Sequence, residues 1–196
     1  MVYDSAATKQ RILDAATQEF ATYGIAGARV DRIAERAPAN KASIYSYFGN
    51  KQDLFAAVLQ RTLTRLAEAV AIDPDRVPDY VGELFDYQLS HPELIRLVQQ
   101  EALALEPEEA LQRESRAAHY DDKVSAVRTA QKAGTVGTDL DARNIVLALI
   151  GMVSWFTAAP QISQMIVGDV TSTRVLRKHR AALIECARRI VSPVGS

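Results

Sequence analysis

Between residues 41 and 51 the chain reads Lys41-Ala42-Ser43-Ile44-Tyr45-Ser46-Tyr47-Phe48, with Lys51 three positions on. On a helix, Ile44 and Phe48 share the inner side and Lys41, Ala42, Ser43, Tyr45, Ser46 and Tyr47 stay outside. Those outer types suit the major groove of a double helix. A lysine donates to guanine O6 and N7, a serine hydroxyl donates or accepts, and an alanine methyl meets the methyl of thymine. The hydroxyls of Tyr45 and Tyr47 reach phosphate oxygens while their rings brace the helix. Lys51 falls in the first turn of a following helix, where outward N–H groups add to its ammonium in holding a phosphate.

Other chemistries lack their residues. The sequence contains no G-x-S-x-G, G-x-x-x-x-G-K-[ST], G-x-G-x-x-G or H-E-x-x-H pattern. His91, His119 and His179 are far apart, and the i, i+3 pair His119 and Asp122 reads as an ordinary helix surface. Glu108 and Glu109 are explained by the positive end of a helix dipole. The single cysteine, Cys186, excludes an intramolecular disulfide or a cysteine-based zinc site and suits a reducing cytoplasm. No enzyme, cofactor or metal site is expected. The start of the chain has no apolar stretch of the kind a signal peptide needs. Ile145–Ala159, the most apolar run, is shorter than the roughly 20 residues of a membrane span. A cytoplasmic protein without a membrane partner follows.

The elements that must position these groups are helices, because the apolar residues recur with a period near 3.6. Ile12, Ala16, Phe20 and Tyr23 form one stripe of a helix over about 6–23, stopped by Gly24. A short helix follows over 30–37 and ends at Pro38. Asn40 stands at the N-cap of the 41–47 helix. Asn50-Lys51-Gln52-Asp53 reads as a capping arrangement for a helix reaching about residue 71, with Leu54, Phe55, Val58, Leu59 and Leu66 inward. Further helices are expected at 78–90, 92–105 and 107–133, each with a proline near its start. Thr138 and Asp141 suggest a capping box for 141–158, Pro160 to Gly168 an apolar connector, and 172–191 a last helix. The fold class is all-α with about nine helices. The short helices joined by Pro38-Ala39-Asn40 make a helix-turn-helix, although the same spacing also fits a small amphipathic subdomain.

At this point the residues carry a resemblance. Thr8-x-x-Arg11-Ile12-Leu13-Asp14-Ala15-Ala16, Phe20-x-x-Tyr23-Gly24, Val30-x-x-Ile33-Ala34-Glu35-Arg36-Ala37 and Ser43-Ile44-Tyr45-x-Tyr47-Phe48-x-Asn50-Lys51-x-x-Leu54-Phe55 together resemble the DNA-binding domain of TetR-family transcriptional regulators. The resemblance covers about residues 8–60. It implies a homodimeric, ligand-responsive regulator, most often a repressor, on a palindromic operator. It places Lys41, Ala42, Ser43 and Tyr45 at groove-facing positions, and Asn40, Tyr47, Lys51 and the stretch Arg29-Val30 at phosphates. Two residues depart from the family pattern. Pro38 stands where a glycine is usual, and since proline resists positive φ the turn is expected to be built differently. Ala28-Arg29 replaces a hydroxyl cap with a guanidinium suited to phosphate.

The resemblance divides the chain at about residue 50, with 1–50 reading DNA and 51–196 binding ligand and pairing two copies. It suggests that helices four to seven enclose a pocket and that the last two pair in a four-helix bundle between protomers. Ile145–Phe156, apolar on nearly every side, is expected to be buried all round, between its own core and a partner. Aromatic or apolar bodies with a few polar tips make Phe85, Gln88, Leu103, His119, Tyr120, Trp155 and Phe156 the pocket candidates for an unknown small molecule. A helical ligand-binding or scaffolding dimer that does not bind an operator is the alternative. The net charge of −1 conceals a distribution: residues 1–71 sum to +2, 72–140 to −7 and 141–196 to +4. A mildly basic head must therefore bind through a few placed contacts rather than bulk charge.

Overall fold

The computed structural model describes residues 5–193. Ten α-helices follow in order: α1 (Ser5–Gly27), α2 (Val30–Arg36), α3 (Lys41–Phe48), α4 (Lys51–Ala69), α5 (Asp79–Ser90), α6 (Glu93–Ala104), α7 (Arg113–Ala133), α8 (Ala142–Ala158), α9 (Pro160–Val167) and α10 (Thr173–Val191). Among the described residues there is no strand. Among them, too, no single helix is long and apolar enough to cross a membrane.

Most boundaries fall where the local chemistry puts them. Gly24 interrupts α1 at φ +67°, and a Cβ there would run into the Gln100 side chain of α6. Asn40 caps α3 by accepting a hydrogen bond from the Ser43 amide at 2.6 Å. The box at α4 is reciprocal: Asn50 Oδ1 accepts from the Gln52 and Asp53 amides, and Asp53 Oδ2 accepts from the Asn50 amide.

Four expectations need correction. Residues 107–133 do not form one helix: a 3-10 turn at Pro107–Glu109, closed by the Glu106 and Glu109 side chains, precedes α7. Asp141 caps α8 directly through the Arg143 amide, so Thr138 belongs to no capping box there. The stretch after Pro160 is the helix α9, because proline at its first position leaves the helix intact. Pro38 adopts φ +24°, so the turn keeps the positive φ that a glycine would supply, at the cost of strain in the proline ring.

The chain forms two compact units. Residues up to Arg65 together with Glu93–Arg113 make the first. Its core joins Ile12, Ala16 and Phe20 of α1, Ile33 of α2, Ile44 of α3, Leu54, Phe55, Val58 and Leu59 of α4, and Leu97 of α6. Phe20 and Phe55 meet edge to face at 5.2 Å. Leu66–Pro92 and the residues from Glu114 onward make the second. There Val81, Leu84 and Phe85 of α5 pack with Val127 of α7, Ile145, Leu149 and Val153 of α8, and Leu183 and Ala187 of α10. Gly82 lets α10 come close to α5, since a Cβ there would press on Ile184 and Arg180. Leu147 and Trp155 are 71% and 58% exposed, so one side of α8 is bare in the single chain.

Candidate nucleic-acid interface

The position of α3 is set from beneath. Ile44 is its buried residue, and the Gly49 amide closes its end on the Tyr45 carbonyl. Lys41, Ala42 and Tyr45 are exposed, and Ser43 and Tyr47 half-buried. Tyr47 lies under the Lys9 ammonium, 5.1 Å from its ring centre, and edge-on to Phe48 at 6.3 Å. Of the expected groove-facing residues, Lys41, Ala42 and Tyr45 are therefore accessible and Ser43 only in part. Asn40, expected at a phosphate, uses its side-chain oxygen on the Ser43 amide.

The start of α2 is held by a residue that pattern reading overlooked. Glu19 of α1 is fully buried; its Oε1 accepts from the Arg29 amide at 2.9 Å and from Arg32 Nε at 2.7 Å, and Arg36 lies 3.5 Å from Oε2. Burial works against its charge, but the bonds from Arg32 and Arg29 and the charges of Arg32 and Arg36 outweigh it and hold its pKa below the ordinary value. Its signal in the sequence was a carboxylate three residues after Ala16 on the apolar stripe. Val30, expected at a phosphate, is buried at 7% exposure, so its side chain belongs to the core. The Arg29 guanidinium stays exposed beside it.

The head's cations are mostly engaged within the chain. Arg32 and Arg36 turn to Glu19, and Arg32 also stacks over the Tyr23 ring at 4.2 Å. Lys51 Nζ donates to the Ala26 and Ala28 carbonyls at 3.2 and 3.3 Å, fastening α4 to the segment before α2. Lys41 Nζ pairs with Asp31 at 2.9 Å, which raises the lysine's pKa. Among the described residues the Arg29 side chain has no such partner.

In the second unit the expected pocket residues divide. Phe85 and Phe156 meet edge to face at 5.3 Å, and His179 of α10, not foreseen, completes the group: it stacks on Phe156 at 4.4 Å and lies 5.4 Å from Phe85. Burial lowers the His179 pKa, and among the described residues its buried Nε2 has no hydrogen-bond partner. Gln88 is buried between Ser154, to which its Nε2 donates at 3.0 Å, and Thr157, whose hydroxyl donates to its Oε1 at 2.8 Å. His119 and Tyr120 lie on α7, half-buried and exposed respectively. Two candidates stand apart from this group: Trp155 faces outward, and Leu103, 83% exposed, belongs to the first unit. Each lies on an outer helix face that apolar character alone does not reveal. Lys123 is a further unforeseen feature: nine-tenths buried, it donates to the Val70 carbonyl at 3.2 Å and lies 5.4 Å from the Tyr80 ring centre. Among the described residues no group of three or more His, Cys, Asp or Glu side chains is placed to hold a metal ion.

Comparison with known proteins gives concordant matches. Residues 12–58 match the family described as bacterial regulatory proteins, tetR family. Residues 76–189 match the tetracyclin repressor-like, C-terminal domain. The chain is similar to the HTH-type transcriptional repressor SCO4008 of Streptomyces coelicolor, with 42% identity over 96% of this chain and 97% of that one. It is 33% identical to the HTH-type transcriptional repressor NicS of Pseudomonas putida over 49% of each chain. The crystal structure of the putative transcriptional regulator SCO4942 from Streptomyces coelicolor superposes with a TM-score of 0.82 at 35% identity, over 94% of this chain and 98% of that one.

Proposed function

Because the chain belongs to the TetR family of bacterial transcriptional regulators, we propose that it represses transcription as a homodimer on a palindromic operator and is released by a small molecule. It is a DNA-binding regulator and not an enzyme, as its relatives are. The finer reading rests on one observation above all: Ile44 fastens α3 from inside and leaves Lys41, Ala42 and Tyr45 outward together. Residues 1–50 are the reading part, with Lys41, Ala42, Ser43 and Tyr45 toward the groove and Arg29, Asn40, Tyr47 and Lys51 toward phosphates. Residues 51–196 bind the effector and pair the protomers. Two α3 helices must then lie about 34–36 Å apart to enter successive major grooves.

The bare side of α8 supports pairing, since Leu147 and Trp155 flank Gly151, where a Cβ would meet nothing within 4 Å. Partner helices α8 and α10 would cover it. Phe85, Phe156 and the unpaired nitrogen of His179 support an effector site among α5, α8 and α10. An effector that binds better to one setting of α4 weakens the operator, and by linkage the operator weakens the effector equally. The protein acts in the cytoplasm, without a membrane.

Selection from a random duplex library tests the reading. A palindromic site is expected, with Lys41→Ala and Tyr45→Ala weakening binding to it while the dimer persists in sedimentation. Failure to enrich any site would favour the dimer that does not bind an operator.

A further inference from the structure

Almost every cation of the head is bound to the head itself, and one of these bonds touches the reading helix. Lys41 opens α3, and its ammonium is fixed at 2.9 Å on Asp31, the second residue of α2. Both side chains are open to water, at 50% and 67% exposure. The pair lies on the accessible side of the head and contributes little to the core. Arg32 and Arg36 face Glu19 and Lys51 faces two carbonyls, and Lys41 is the one cation that α3 itself carries.

We propose that Asp31 attenuates DNA binding: it holds the Lys41 ammonium on the protein and so withholds it from the phosphates of arbitrary DNA. This rests on the DNA-binding reading given above. A phosphate on random duplex offers Lys41 one ionic contact in exchange for another, and brings Asp31 close to backbone charge of its own sign. A guanine edge at the right register offers two acceptors in fixed geometry, which a carboxylate pair open to solvent does not match. Asp31 therefore lowers affinity for any sequence by up to the cost of releasing Lys41, which takes most of the gain from a phosphate of random duplex and leaves net binding only where the base contacts are stronger. The α2 start gains from an acid at its second position, so one carboxylate serves both the helix and the filter.

The experiment measures wild type, Asp31→Asn, Lys41→Ala and the double variant by fluorescence anisotropy on a random-sequence duplex over a salt series. Asp31→Asn frees one cation per head, so its log affinity against log salt is expected to steepen by about 0.9 per head. Its advantage over wild type then grows about threefold per head for each fourfold dilution of salt. The double variant should lose that gain and follow Lys41→Ala. A wild type that binds while Asp31→Asn gives the same slope and affinity overturns the proposal. So does a double variant that keeps the gain, which would put the effect in Asp31's own charge and not in its hold on Lys41. A wild type with no affinity for duplex at low salt refutes the DNA-binding reading itself, and this proposal with it.

Discussion

Glu19→Gln keeps the shape of a buried side chain and removes its charge, leaving the Arg32 and Arg36 guanidinium groups beside a neutral amide. An amide oxygen can still accept from the Arg29 amide, so the loss centres on the charged contact at 2.7 Å. Breaking a fully buried pair costs about 3–5 kcal/mol, whereas exposed pairs contribute under about 1. Here the carboxylate is inaccessible but Arg32 and Arg36 are 30% and 48% exposed, so water screens part of the effect. An intermediate cost of about 1–3 kcal/mol is expected. At about 2–4 °C per kcal/mol for a chain of this size, the melting temperature at neutral pH should fall by roughly 3–10 °C. The pH dependence gives a second handle. A carboxyl with a lowered folded pKa stabilises above its unfolded value, about 4.3, and that contribution disappears as pH falls through the folded value. Thermal melts followed by circular dichroism should therefore show wild type and Glu19→Gln converging in acid. Equal melting temperatures at neutral pH, or a gap that persists unchanged in acid, would refute the role of the Glu19 charge.

Two further substitutions probe strain and burial. Pro38→Gly removes about 1–3 kcal/mol of strain at φ +24° and adds under about 1 kcal/mol of unfolded-state entropy, so a rise of a few degrees in melting temperature is expected; a fall would show the turn is unstrained. Lys123→Met replaces a buried ammonium that has one carbonyl partner with a chain of similar shape, and should leave stability unchanged or raised. Because burial lowers the Lys123 pKa, the unfolded chain binds more protons between the folded and unfolded values, so wild-type stability gains with rising pH across that alkaline window. The variant should lack this gain. A marked drop in its neutral melting temperature would show that the ammonium's contacts outweigh its burial.

Helix positions were legible because they depend on near neighbours in the chain: Asn40 three residues before Ser43, Asn50 three before Asp53, and Gly24 free to take positive φ. The outward set on α3 was legible for the same reason, since Ile44 settles which side faces in. What failed depends on partners distant in sequence. Whether Val30 is a core residue or a contact depends on the packing of α1 and α2. Glu19 stands beside the apolar stripe of α1, and its role emerges only when Arg29, Arg32 and Arg36 return to it. His179 joins Phe85 and Phe156 from more than twenty positions away, and α9 was concealed because its apolar residues face outward and mimic a connector.

The central claim, that the exposed side of α3 reads a DNA sequence, is tested most directly by the ratio of affinities for a selected duplex and a random one, measured at the same salt for wild type, Lys41→Ala and Tyr45→Ala. Wild type should prefer the selected site by on the order of a thousandfold or more, and both variants should lose most of that preference while still binding random duplex. A ratio that stays the same in all three proteins would contradict the account.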